Sequence, residues 1–166
     1  FFGCNEELGM ADAEYYFKDH EAPLFSIVPD APFPVCYGEK GVIELELKKG
    51  LNSKGQSILE FSGGVASNLI PESAMVRIKL EESFKFQEYR SGKEIEICQE
   101  KKTLRITSHG RAAHSAFPEG SENGILKLIR YLLKTDFLSD NERELLSQIE
   151  ALFGGCYGEE LGISCE

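Results

Sequence analysis

The sequence predicts an α+β fold in which helices pack on one face of an antiparallel sheet. The first observation is a series of short segments with alternating apolar and polar residues, as in strands that are buried on one face. These segments are residues 42–48, 57–61, 74–80, 94–99 and 103–108. The second observation is a pair of amphipathic segments after the last strand, which predicts two helices that cover the sheet.

The alternation is strictest in residues 42–48. Apolar residues such as Leu45 and Leu47 would lie on one face, with charged side chains on the other, which predicts a half-buried antiparallel strand. A polar turn over residues 99–102 separates the last two strands and predicts a hairpin. The stretch 81–91 has weak periodicity and is expected to be helical.

The two helices are predicted at residues 121–134 and 140–153. Ser139 and Glu142 have the spacing of a capping box, in which side chains and backbone groups satisfy each other at the start of a helix. The pair Gly154-Gly155 is expected to end the second helix.

The N-terminal residues have a different pattern. An amphipathic run predicts a helix over residues 10–20, and an apolar run predicts a short buried strand over residues 24–28. Prolines after Asp30 stop any continuation of that strand. We therefore predict two parts, an edge of an α/β domain at residues 1–38 and the α+β domain at residues 39–166, separated by a glycine-containing hinge.

Composition and charge exclude two classes of partner. Hydrophobic residues make up 42% of the 166 residues and charged residues 28%, which predicts a packed core. The formal net charge of −10 argues against nucleic acid, because phosphate binding needs clustered Lys and Arg. No apolar run approaches the ~20 residues that cross a membrane, so no membrane partner is expected.

The cysteines and the first residues indicate the protein's context. Five cysteines occur at irregular spacing without a CxxC pair, which suits reduced thiols in a cytoplasmic protein and disfavours a cysteine-based zinc site. The chain lacks an initiator Met and opens on apolar residues, so we expect a piece of a longer protein.

Four ionisable residues stand where chemistry is plausible. Glu6 and Glu7 form either a solvated acidic turn or a catalytic carboxylate beside a metal ligand, since adjacent side chains point in different directions. Asp30 is either a turn-former or a ligand. His114 is isolated in the glycine-rich stretch 110–124, between a predicted strand and helix, where a structural role is commoner than a catalytic one.

Four segments together resemble the co-catalytic zinc metallopeptidase family of aminoacylases, carboxypeptidases and dipeptidases. The likeness is greatest to the bacterial peptidase V, or carnosinase-like, dipeptidases. Each segment is short, but their order and spacing span most of the chain. The segments are Asn5-Glu6-Glu7, Pro29-Asp30-Ala31-Pro32-Phe33-Pro34, Gly63-Gly64-Val65-Ala66-Ser67-Asn68-Leu69-Ile70-Pro71 and Gly110-Arg111-Ala112-Ala113-His114-Ser115-Ala116-Phe117-Pro118.

The resemblance implies both a fold and a site. It implies an α/β catalytic domain with two divalent metal ions, zinc first and manganese as the alternative, and an inserted ferredoxin-like lid domain. By the same resemblance, Glu6 matches the general base, Glu7 a metal ligand and Asp30 a ligand of the other ion. Asn68 matches a lid residue that holds the substrate, a dipeptide, and His114 matches the lid histidine that reaches the scissile carbonyl.

Several features of that family are not found in the sequence. The family also uses a His-x-Asp pair, an upstream bridging Asp, a distant C-terminal His and an arginine for the substrate carboxylate. We therefore expect an incomplete lid domain, and a 166-residue piece that alone binds no metal and has no peptidase activity.

Two other functions stay open. A non-catalytic α+β module could bind a ligand, or associate with itself through an exposed sheet edge. A related amide hydrolase, such as a deacylase or desuccinylase, would apply the same chemistry to another substrate.

Overall fold

The protein is described here by a computed structural model with two compact units, Phe1–Leu47 and Lys48–Glu166. The residues that the structure describes are 3–6, 9–27, 29–30, 34, 37–38, 44–48, 55–80 and 92–162. The assignment of residues 1–38 to an α/β domain and of residues 39–166 to a lid domain stays a prediction.

The first unit contains one short helix, α1 (Ala11–Tyr16), among its described residues. The helix predicted over residues 10–20 is therefore shorter than expected. None of its residues is buried, although acidic Asp12 and Glu14 in its first turn suit the positive end of the helix dipole.

Two predicted strands, one in each predicted domain, are absent where the structure describes them. Residues 24–27 and 44–48 contain no strand. Leu24, Leu45 and Leu47 are 108%, 69% and 77% exposed, so the predicted burial is also wrong. Alternation predicts which face a strand would bury but supplies no partner strand, and the described residues of this unit offer none. Residues 28, 42–43 and 81–91 of the predicted elements lie outside the described ranges.

The second unit contains the predicted antiparallel sheet, which confirms the α+β fold class. The strands are β1 (Ile58–Gly63), β2 (Ser73–Lys79), β3 (Ile95–Glu100) and β4 (Thr103–His109). Their spatial order is β1-β2-β4-β3, and all neighbours are antiparallel. The predicted hairpin is confirmed, because Glu100 pairs with Thr103 and leaves Lys101 and Lys102 as the turn.

Two helices follow the sheet at nearly the predicted positions, α2 (Gly124–Leu132) and α3 (Asp140–Phe153). The Asn123 side chain caps α2 by accepting hydrogen bonds from two backbone N–H groups of the first turn. Ser139 and Glu142 form the predicted capping box at the start of α3. Gly154 ends α3, as expected.

The core lies on one face of the sheet. Alternate residues of β2 and β4 are buried, so the period of two is realised in both central strands. Helix α2 packs against these two strands, and α3 packs against α2. The core residues are Ala74, Val76, Ile78, Ile97, Leu104, Ile106, Leu128, Ile129, Leu132, Leu138 and Leu146. Among the described residues, no helix is both long and apolar enough to span a bilayer.

Candidate functional site

The site is built on the connection from β4 to α2, residues 110–124, which we call the His114 loop. Arg111 and Glu122 close its base with two backbone hydrogen bonds of 2.9 and 3.0 Å. Their side chains form an ion pair of 3.3 Å. A methyl group on Gly110 would overlap the carbonyl oxygen of Glu122, so the close approach of the two ends requires glycine.

The C-terminal end of the loop is fixed to the sheet. The buried Ser108 hydroxyl of β4 donates to the Gly124 carbonyl at 2.6 Å. The Gly124 N–H donates to the Pro71 carbonyl at 2.6 Å. A Cβ at Gly124 would lie 2.8 Å from Ser73 Cα, so a side chain here would push the loop off β2. The loop therefore begins and ends at fixed points.

The loop containing Asn68, residues 64–71, runs beside the His114 loop. The Ser115 N–H donates to the Asn68 carbonyl at 2.8 Å, and the Ile70 N–H donates to the Ala113 carbonyl at 2.9 Å. Leu69 and His114 form an isolated antiparallel bridge between these bonds. The structure thus brings together Asn68 and His114, which the sequence places 46 positions apart. Asn68 is half-buried.

His114 is exposed, and one of its two ring nitrogens accepts a hydrogen bond from the backbone. The Ala116 N–H donates to His114 Nδ1 at 3.1 Å. An acceptor nitrogen carries no proton, so the neutral ring must carry its proton on Nε2. The Phe117 N–H donates to the His114 carbonyl at 2.9 Å, which closes a tight turn around the ring. This turn makes the imidazole a hydrogen-bond donor through Nε2.

The half-buried side chain of Lys127 supports the base of the loop. The Lys127 ammonium on α2 contacts Glu122 Oε2 at 2.7 Å and donates to the His109 carbonyl at 2.9 Å. Glu94 lies 3.6 Å away. The hydrogen bond to Glu122 raises the pKa of Lys127, and the same bond lowers the pKa of Glu122. The sequence does not indicate this role, since a lysine on an amphipathic helix usually faces solvent.

The first unit holds the segment around Glu6 by backbone hydrogen bonds. Asp12 Oδ2 of α1 accepts from the Cys4 N–H at 2.6 Å and from the Asn5 N–H at 3.2 Å. Asn5 Oδ1 in turn accepts from the Ala11 N–H at 2.9 Å. The bond from Cys4 is the main cause that lowers the pKa of Asp12. Asp12 was missed as a structural residue, although an acid in a first helical turn is a usual partner for free N–H groups.

Within the described residues, the predicted carboxylates Glu6 and Asp30 do not complete a metal centre. Glu6 and Asp30 are both exposed, and Glu7 lies outside the described residues. Within the part of the chain that the structure describes, no group of three or more His, Cys, Asp or Glu side chains could hold a metal ion. Structural and catalytic zinc sites use three or four protein ligands, so these residues do not fit a complete site.

The chain is similar to bacterial proteins with one shared description. It is 28% identical over 174 aligned positions to "Putative dipeptidase YtjP" of Bacillus subtilis (strain 168). It is 26% identical over 173 positions to a protein of Staphylococcus aureus (strain USA300), and 26% identical over 180 positions to one of Staphylococcus epidermidis. The names of all three contain the words "Putative dipeptidase".

These similarities cover nearly all of this chain and a smaller part of each relative. The alignments span 99% of the chain for the first and 97% for the other two. They span 38% of the first relative and 37% of the others. The chain therefore spans less than two fifths of the length of the curated relatives it matches. No protein-family model matches the chain.

Proposed function

We propose that this chain is part of a dipeptidase, in which residues 39–166 belong to a lid that contacts the dipeptide. Similarity to proteins named as dipeptidases over at least 97% of the chain supports the substrate class. The observation that carries the proposal is the paired loops of Asn68 and His114, which hold an exposed imidazole with its proton on Nε2. The α+β sheet beneath them supports the assignment to a lid domain.

His114 acts as a hydrogen-bond donor to the reacting carbonyl. Attack of water on a peptide bond places negative charge on the carbonyl oxygen in the tetrahedral intermediate. A preorganised N–H stabilises that charge more than it stabilises the neutral substrate. The Ala116 N–H on Nδ1 keeps the Nε2 proton in place. A donor of this kind typically contributes about 3 kcal/mol to lowering the barrier.

Asn68 acts in two ways in this proposal. Its backbone carbonyl accepts the Ser115 N–H and so fixes the residue that follows His114. Its amide side chain holds the substrate, since an amide can both donate to and accept from the polar groups of a dipeptide.

Glu6 acts as the general base in the same proposal. Its carboxylate takes a proton from the attacking water and returns it to the leaving amine. In the whole enzyme, Glu7 and Asp30 would each help to hold one of two divalent ions, zinc or manganese. Because the described residues do not form a complete metal centre, we place the remaining ligands in polypeptide outside this chain. The whole enzyme would then be longer than these 166 residues, as its relatives are.

The thiols support a cytoplasmic setting in this proposal. Cys4, Cys98 and Cys156 are free in the described part of the chain, and all three are exposed. Exposed unpaired thiols persist in a reducing compartment. We therefore place the dipeptidase in the cytoplasm.

The test is a substrate panel with the full-length protein that contains this chain. We expect hydrolysis of dipeptides and little cleavage of N-acyl or N-succinyl amino acids. Preference for either of those amides would instead support a deacylase or a desuccinylase. The absence of hydrolysis on all three classes would support a non-catalytic module. Glu6→Ala should abolish turnover at unchanged metal content, and surviving turnover would overturn the assignment of the base.

A further inference from the structure

A contact of Tyr157 joins the segment after α3 to the His114 loop. The Tyr157 hydroxyl donates to Glu119 Oε1 at 2.8 Å. Glu119 belongs to the His114 loop, and 38 positions separate the two residues. This hydrogen bond therefore restrains the loop at Glu119, in addition to the contacts at its base between Arg111 and Glu122.

Tyr157 stands on a segment that is itself attached to the helices. Its backbone N–H donates to Glu159 Oε2 at 3.1 Å. Three residues earlier, the Gly154 carbonyl accepts from Arg130 Nη2 at 3.2 Å. Arg130 also contacts Glu150 on α3 through Nε at 3.0 Å. The hydrogen bonds of Arg130 and Glu159 therefore hold the segment that carries the Tyr157 side chain.

Glu119 is close in the chain to the turn that sets the His114 ring. The turn contains the two bonds from the Ala116 and Phe117 N–H groups to His114. Pro118, which follows, is buried and anchors the chain between this turn and Glu119. A restraint on Glu119 is thus transmitted through one buried residue to the turn around the imidazole.

We propose that Tyr157 is a positioning residue, which holds the tip of the His114 loop through Glu119 so that the imidazole keeps its orientation. The importance of that orientation rests on the proposed function of His114. The hydrogen bond itself does not depend on any reaction.

The ionisation of the phenol follows from the same contact. The hydrogen bond that Glu119 accepts favours the protonated phenol and so raises the pKa of Tyr157, and repulsion between a phenolate and the Glu119 carboxylate adds to this effect. The contact is therefore present while the phenol is protonated, and it is lost as the pH rises through the raised pKa.

The experiment uses the 166-residue chain and amide exchange measured by NMR. Tyr157→Phe removes the hydroxyl and keeps the ring. We expect exchange of the Ala116 and Phe117 amides to become about three- to tenfold faster, since one exposed hydrogen bond contributes a modest local free energy. The 15N shift of His114 Nδ1 should move in the same variant, while the midpoint of thermal unfolding stays unchanged.

The matched control is Tyr15→Phe, at an exposed tyrosine of α1 whose ring faces Lys18. It should leave exchange at Ala116 and Phe117 unchanged. Glu119→Ala should reproduce the effect of Tyr157→Phe, and the double variant should add nothing. Equal exchange in Tyr157→Phe and Tyr15→Phe, or additive effects in the double variant, would overturn the proposal. No substrate is involved, so a failure of dipeptide hydrolysis leaves this result intact.

Discussion

His114 shows how one backbone hydrogen bond can decide the chemistry of a side chain. A free imidazole exchanges its proton between two nitrogens, and either tautomer can donate. In this chain the Ala116 N–H occupies Nδ1 at 3.1 Å, which leaves Nε2 as the donor. Since the ring is exposed, the donor is available to a substrate without opening of the core.

The first prediction concerns this tautomer. Long-range 1H–15N correlation spectra of the chain at a pH where His114 is neutral should show the proton on Nε2. The physical reason is that a proton on Nδ1 would face the Ala116 N–H and remove its acceptor. His20, whose Nδ1 lies 3.0 Å from the Tyr16 carbonyl, is the internal reference, because that contact favours a proton on Nδ1. A mainly Nδ1-protonated His114 would contradict the assignment of the donor.

At the scale of elements, the loop between β4 and α2 depends on glycines that the sequence shows only as a glycine-rich stretch. Glycine is required at position 110 because it has no side chain, and not because of its backbone angles. A Cβ atom there would overlap the carbonyl of Glu122. The same holds for Gly124 beside Ser73. Such close approaches depend on neighbours distant in sequence, so they could not be predicted from the chain.

The second prediction is that Gly110→Ala destabilises the protein by about 2 kcal/mol, as overpacking typically does. Denaturant unfolding measures the change in the free energy of unfolding. Gly92→Ala is the matched control, because a Cβ at Gly92 has no atom within 4 Å. Equal stability of the two variants would show that the base of the His114 loop is looser than the structure has it.

The third prediction concerns Glu142, which joins α3 to β1. It is 3% exposed and accepts hydrogen bonds from the Ser57 and Ile58 N–H groups at 2.9 and 2.7 Å, as well as from Ser139. Burial opposes its ionisation, but these hydrogen bonds outweigh burial and lower the pKa of Glu142. A lowered pKa means that its contribution to stability is present at neutral pH and is lost as the pH falls through the folded-state value.

Glu142→Gln should therefore cost about 2 kcal/mol at neutral pH. The difference from the unchanged protein should shrink as the pH falls below the usual range of a glutamate. Thermal unfolding at several pH values measures this, with Glu144→Gln on the exposed side of α3 as the control. A difference that grows toward acid pH would have the wrong sign and would contradict the assignment.

At the scale of the whole molecule, the sequence predicted the second unit well and the first unit poorly. The strands β1 to β4 and both later helices were predictable because they bury one face against one another within the chain. The predicted strands at residues 24–28 and 42–48 had apolar patterns of equal quality, but the described part of the unit gives them no partner strand. The pattern of apolar residues alone could not distinguish a segment that has a partner strand from one that has none.

For the candidate site, only the proximity of two predicted residues can be compared with the structure. The resemblance gave Asn68 and His114, and the structure brings their loops together. The tautomer of His114, the support from Lys127 and the contact of Tyr157 with Glu119 were not predictable, because each depends on a tertiary hydrogen bond. The roles of Asn68, His114, Glu6, Glu7 and Asp30 all stay predictions.

The fourth prediction is that the 166-residue chain alone does not hydrolyse dipeptides, with or without added Zn²⁺ or Mn²⁺. A catalytic zinc site uses three protein ligands. The described residues contain no group of three side chains that could hold a metal ion. The full-length protein in the same assay is the positive control. Activity of the isolated chain would show that its own residues complete the site.

The effect of His114→Ala on kcat in the full-length protein tests directly whether His114 acts on the reacting carbonyl. We expect kcat for a dipeptide to fall by about 10²- to 10³-fold, as for the loss of one donor to a developing oxyanion, with an unchanged midpoint of thermal unfolding. His20→Ala, at an exposed histidine of the first unit, should leave kcat unaltered. A His114→Ala enzyme that turns over as fast as the His20→Ala enzyme would contradict the central claim that His114 stabilises the reacting carbonyl.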